Sequence, residues 1–270
     1  MVFEQLLDTN RIKQNPFFIL LLTFFYVLIA YGIAYLFFSS SVSVVAVFTL
    51  TLLLVPSLHH IVSVEEKTER KEGLKHFISN HRHFFKVFCF VFLGVILGLL
   101  AVSFFLPSEL FSYQTDFLFR HRGLSLMQEF GSGVFNPSFG DALGLFTFNL
   151  EVALICLVLS VFYGAGAVFL IVLNATLFAG FFLFVVNNLS PKLPSLVLFV
   201  HFIPEIAGFL LAAMAGSVLS VAIMREHWGS SYFKNVVQNS LLMFVAGLAF
   251  IFFAAVLEVF VSAKVIHFVL

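Results

Sequence analysis

A histidine and a glutamate stand one helical turn apart, His201 and Glu205, in the run VLFVHFIPEIAGFLLAAMAG, which is otherwise apolar enough to cross a membrane. Residues four apart share one face of a helix, so the two side chains are expected to point the same way. A charged group at the centre of a spanning helix costs roughly 3 kcal/mol on insertion scales, so an ionisable pair there is either functional or satisfied by partners inside a bundle. Two chemistries suit it. A proton or ion relay would use a buried carboxylate kept neutral and an imidazole that exchanges protons. A structural lock would use the same groups to hydrogen-bond across helices. Asn149 and Glu151, opening one neighbouring apolar run, and Asn174, midway in the next, extend the candidate buried polar cluster to five residues. Pro204, inside the pair, withholds a backbone N–H and crowds the preceding turn, which predicts a kink near Val200.

The elements that must position these groups follow from composition. The chain is 61% hydrophobic and 10% charged, with a mean hydropathy of +1.09; average globular usage is about 25% charged, so this is an integral membrane protein. A net charge of zero excludes the basic stripe that nucleic acid requires. A helix rises about 1.5 Å per residue across a hydrocarbon core about 30 Å thick, so runs of about 20 apolar residues read as spans. Seven are expected, at 17–38, 41–62, 84–106, 142–163, 164–187, 196–223 and 240–262, giving an all-α, polytopic fold. Short links predict antiparallel hairpins for the first two and for the fourth and fifth, the latter pair being alternatively re-entrant. No cleavable signal peptide is expected, because acids precede a first run too long for an h-region.

With seven spans, a cytoplasmic N-terminus places ten Lys and Arg inside and four outside, which predicts that orientation in the cell membrane. The chain divides into 1–140, three spans with two long loops; 141–225, the polar three-helix core; and 226–270, a cytoplasmic loop, the last span and a tail. The segment 63–83, SVEEKTERKEGLKHFISNHRH, carries both signs of charge and is expected to be a cytoplasmic helical hairpin tip or short amphipathic stretch, a solvated connector in preference to a partner-docking site. The segment 107–140 keeps aliphatic and aromatic residues between its charges, so it is expected to lie on the outer membrane surface and to offer the outward-facing interaction surface. Trp228 and Tyr232 fit an interfacial anchor, and Glu258 near the last span's end is expected to reach headgroups or Lys264.

Small residues recur beside the polar ones, among them Gly164, Gly166, Gly180, Gly208 and Gly216. They let helix backbones approach closely, so the fourth to sixth spans are expected to pack as a tight core, and the surplus predicts a homo-oligomer, in its simplest form a dimer.

The run FTFNLEVALICLVLSVFYGAGAVFLIVLNATLFAGFF, followed by HFIPEIAGFLLAAMAGSVLS, resembles the stage II sporulation protein M family of polytopic membrane proteins over about residues 140–225. Family members carry an Asn-containing start to one span, an Asn-Gly in the next and a His-Gly-x-x-Glu motif opening a third, matching Asn149, Asn174, His201 and Glu205. The sequence departs at Ala175, where the family favours Gly, at Phe202, where Gly follows the His, and at Glu151, where a basic residue is common. The resemblance implies a membrane scaffold more than an enzyme, with membrane or envelope proteins as partners, since the namesake recruits cell-wall hydrolases during engulfment.

A transporter or channel built on Glu151, His201 and Glu205 is the alternative; the absence of a clear inverted repeat weighs against it. An intramembrane metalloprotease is less favoured. Glu65-Glu66-x-x-x-Arg70 resembles the EExxxR opening of prenyl-endopeptidase-like membrane proteases, with His59, His60 and His201 imaginable as ligands, but it lies in a charged segment between spans. There is no HExxH, and a catalytic zinc usually takes three protein ligands. Cys89 and Cys156 lie in apolar runs and form neither a disulfide framework nor a zinc site. No catalytic residue, cofactor or metal is therefore expected.

Overall fold

The computed structural model describes residues 17–75, 77–105, 137–163, 166–188, 196–227 and 229–262. Apolar runs with every backbone hydrogen bond closed within the segment are what a bilayer permits, and the described residues form seven long helices. These are α1 (Phe17–Phe37), α2 (Val42–Glu72), α3 (Phe77–Phe105), α4 (Phe139–Tyr163), α5 (Gly166–Asn188), α6 (Leu196–Arg225) and α7 (Ser231–Leu257), the last passing into a π-helical turn at Glu258–Ser262. All seven are long and apolar enough to cross a membrane, so the chain is an all-α polytopic membrane protein. The fourth and fifth runs, for which a re-entrant path was an alternative, each contain such a segment, Phe139–Ser160 and Gly166–Leu183.

α6 is the hub. It packs against α7, α4, α5 and α2, while α3 bridges α1 and α5. In its most apolar window 72% of the residues are buried, against 18% for α4, so α6 is central and α4 peripheral. α6 continues as one helix through Pro204 to Arg225.

Glycines set the closest contacts. A Cβ added to Gly208 would stand 2.6 Å from Ile251 Cγ1 and 2.7 Å from the Gly247 carbonyl oxygen, so α6 and α7 meet backbone to backbone. Gly216 of α6 meets Ser160 of α4 with a notional Cβ contact of 3.0 Å, and Gly166 presses on the backbone of Leu159 and Ser160. Gly180 is buried in α5, and Gly164 lies outside the described residues. Sequence reading missed a second pair, Gly94 and Gly98 of α3. Their notional Cβ atoms fall 2.7 Å from the Leu20 carbonyl oxygen and 2.6 Å from Val27 Cβ of α1, a G-x-x-x-G seam within the monomer.

The segment 63–83 is a helical hairpin tip, as expected, but it is not solvated throughout. α2 runs on to Glu72 and stops at Gly73, whose φ of 58° suits a residue without Cβ and whose N–H donates to the Glu69 carbonyl. α3 begins four residues later, so the two helices form a hairpin that continues past the apolar stretch. Glu65, Glu66, Glu69 and His81 are buried within it, because α7 begins at the same level and packs against α2. The 107–136 part of the other long segment and Trp228 lie outside the described residues.

Candidate functional site

The polar residues singled out in the sequence fall into two buried pairs and two outliers. Asn149 of α4 donates from Nδ2 to Glu205 Oε1 of α6 at 3.1 Å, and the two residues are 3% exposed each. One turn earlier on α6, His201 Nδ1 lies 2.7 Å from Ser262 Oγ, both residues buried. Ser262 closes the π-helical turn, an i→i+5 irregularity of the kind that re-aims side chains. His201 and Glu205 therefore share a helix face, as their spacing predicts, yet lock α6 to two different helical segments.

Asn174 instead donates to the carbonyl of Leu170, four residues back on its own helix, at 2.9 Å. The Glu151 side chain is exposed and stands apart from the Asn149–Glu205 pair, a correction to the five-residue buried cluster. Its cause is helical geometry: residues two apart point about 200° from one another, so Asn149 and Glu151 cannot both face α6. Phe202, where the family favours glycine, is buried with its ring edge-on to Phe178 at 4.7 Å and Phe181 at 5.3 Å, filling the space between α6 and α5.

Removing the donor at this lock takes the Asn149 hydrogen bond away from a buried Glu205 carboxyl. Asn149→Leu is expected to destabilise the protein by about 1–3 kcal/mol, read as unfolding free energy by steric trapping in bicelles. Glu205→Gln, which keeps an acceptor for Asn149, should lose less; equal losses would mean that the hydrogen bond is not the cause.

The second polar assembly lies at the far end of α2, α3, α6 and α7. Arg70 Nη1 pairs with Glu226 at 2.8 Å, and Arg225 reaches Glu66 at 3.8 Å and donates to Ser63 Oγ at 3.2 Å. Arg70 also lies over the Tyr232 ring, 4.9 Å from its centroid. Beside these pairs, His81 Nδ1 stands 2.6 Å from Glu65 Oε1 and 3.6 Å from Glu69 Oε1. Its other nitrogen, Nε2, faces Asn239 Oδ1 of α7 at 3.4 Å. The Asn239 amide is oriented by donation from its Nδ2 to the Asn235 carbonyl at 2.9 Å. Neither carboxylate oxygen of Glu69 has a hydrogen-bond partner among the described residues, although Glu69 is only 1% exposed. Burial, reinforced by the Glu65 and Glu66 charges, holds the Glu69 carboxyl well above the usual carboxylate range. The sequence signal for this assembly was the i, i+4 spacing of Glu65 and Glu69; what hid it was the charge density of the segment, which reads as a solvated surface.

The stage II sporulation protein M family matches residues 87–263, taking in α4 to α7 and most of α3, well beyond the run that carries the sequence resemblance. The match begins after Glu65, Glu69 and His81 and includes both buried pairs of the membrane interior. Searches of curated proteins and of solved structures returned no match. A match spanning more than half of the chain, over the same polar helices that lock the bundle, makes this protein a member of the stage II sporulation protein M family.

Proposed function

We propose that the chain is a non-enzymatic membrane scaffold that holds partner proteins at the cell membrane, with its charged end and N-terminus cytoplasmic. The observation that carries this reading is the closed state of the Asn149–Glu205 lock, in which both groups are buried and hydrogen-bonded to one another. A relay needs groups that can take up and release protons along a path. Here Glu151 faces away from the pair, and His201 and Glu205 are each committed to a helix contact. Such pairs fit the interhelical hydrogen bonds that hold membrane bundles together. Proteoliposomes loaded with a pH-sensitive dye test the choice. A scaffold gives the proton leak of empty vesicles; a leak above that level that disappears in Glu205→Gln would establish the relay instead.

The partner face is proposed on α4, the least buried of the spans. Glu151 lies near the middle of its apolar window, and Ile155 and Val158 follow on the same side, 59% and 52% exposed. A carboxyl facing lipid at this depth is costly, so a second helix covering it is favoured. Gly166, Gly208 and Gly216, among the glycines expected to join two copies, are instead used inside one copy, which moves the proposed contact of a homodimer to α4. A photo-crosslinking residue at position 155 should give a dimer-sized product in native membranes. The same residue at Leu97 of α3, also exposed, should not. Equal monomer at both positions would end the dimer proposal.

A further inference from the structure

We propose that Glu65, Glu69 and His81 form a binding site for one divalent first-row transition cation of the zinc type, joining α2 to α3 at the charged end of the bundle. One ligand atom from each residue lies within 4.8 Å of the others, and all three residues are buried. Glu65 and Glu69, four apart on α2, present their carboxylates on one face, and His81 approaches from α3.

Three observations point to a cation. The first is Glu69, 1% exposed, with both carboxyl oxygens lacking a hydrogen-bond donor among the described residues and Oε1 turned toward His81 Nδ1. Buried carboxylates are ordinarily paired or bound to metal.

The second is the tautomer of His81. Asn239 spends its Nδ2 on the Asn235 carbonyl, so its Oδ1 faces His81 Nε2 and calls for the proton on that nitrogen. With the proton on Nε2, the Nδ1 lone pair faces the Glu65 and Glu69 carboxyls, 2.6 Å and 3.6 Å away, the side from which a cation would be bound once the short Glu65 contact opens. Asn239 stands where metal-bound histidines usually carry an orienting partner on the second nitrogen.

The third is charge. The nearby guanidinium groups are committed elsewhere, Arg70 to Glu226 and Arg225 to Glu66, so neither Glu65 nor Glu69 has an arginine partner, and a bound dication would draw the Glu69 carboxyl into its ionised form. Imidazole with carboxylates suits zinc and its neighbours over magnesium or calcium, and three protein ligands leave a fourth position open. Ligand atoms about 2.0–2.1 Å from zinc stand about 3.3 Å from one another, close to the 3.6 Å between His81 Nδ1 and Glu69 Oε1, whereas the 2.6 Å contact between His81 Nδ1 and Glu65 Oε1 would have to widen to admit the ion. The three ligands lie before the family match, so this site goes beyond what membership covers, and it stands independently of the scaffold reading.

The test uses the full chain without a histidine tag, purified in nanodiscs, stripped with chelator and titrated with zinc against a fluorescent competitor. The expected result is one zinc per chain retained after desalting. Asn239→Ala should bind about 10–100-fold more weakly through loss of the orienting contact, and Glu69→Gln more weakly still. Gly32→Ala on α1, where a Cβ meets nothing within 4 Å, should bind as the parent does. Cobalt in place of zinc should give the visible absorption of a tetrahedral nitrogen–oxygen site. If Glu69→Gln does not fold, the cobalt spectrum of the parent decides. Sub-stoichiometric zinc in the parent, unchanged affinity in folded Glu69→Gln, or no tetrahedral cobalt band would each overturn the site.

Discussion

His81→Leu is expected to destabilise the bundle by about 3–5 kcal/mol, the range for removing one member of a buried charge assembly. The imidazole stands between Glu65 and Glu69, and its side chain is 7% exposed against 11% and 1% for theirs. Leucine fills similar space but leaves two carboxylates facing one another in a poorly solvated pocket, and Asn239 Oδ1 without its donor. Most of the loss therefore comes from uncompensated polar groups and little from packing. The triple variant Glu65→Leu, Glu69→Leu, His81→Leu separates the two causes, since exchanging a whole buried polar group for apolar residues is often neutral. Steric trapping in bicelles should show the triple variant recovering most of the stability lost by the single one. A triple variant as weak as His81→Leu would mean that shape at this junction, and not charge, holds α2 to α3.

Gly208→Ala should also be damaging, by about 1–3 kcal/mol, because overpacking a tight contact forces backbone to move. The new methyl would sit 2.7 Å from the Gly247 carbonyl oxygen, which is backbone and cannot rotate away, as well as 2.6 Å from Ile251 Cγ1. The contact is reciprocal: a Cβ at Gly247 would fall 2.8 Å from the Gly208 carbonyl. α6 and α7 form the most extensive helix pair in the fold, so separating them also loosens the His201–Ser262 contact. Gly32 and Gly144 provide the contrast, for neither would place a Cβ within 4 Å of another group. Alanine there should be neutral or stabilising by up to about 1 kcal/mol, the helical penalty of glycine. If all three substitutions gave the same unfolding free energy, close approach would not explain Gly208.

The spans were legible in the sequence because a bilayer demands long apolar helices, and helix length is a local property. Their ends were less so. The second apolar run stops near residue 62, yet α2 continues ten residues further, since Glu65 and Glu69 turn inward to meet His81 and Asn239. No window of hydropathy registers that, because a buried acid looks like a solvated one until its partner, 16 residues along the chain for Glu65, is known.

The interior polar residues divide in the same way. The i, i+4 spacing placed His201 and Glu205 on one face, and the buried lock between α4 and α6 needed only that face and an Asn on a neighbour. Grouping Glu151 and Asn174 with them went too far. Asn174 found its acceptor on its own helix, and the two-residue step from Asn149 turned Glu151 outward. Ser262 escaped notice because an ordinary serine at the end of an apolar run carries no signal; the π-helical turn that brings it to His201 is a property of the assembled bundle.

By itself the sequence determined an all-helical membrane protein, seven spans and the family, because length, hydropathy and local spacing are fixed residue by residue. Only the tertiary structure decided which polar groups meet. A contact such as His81 with Asn239, 158 residues apart, depends on how seven helices rotate against one another, and that rotation is set by glycine-sized gaps distributed over the whole chain.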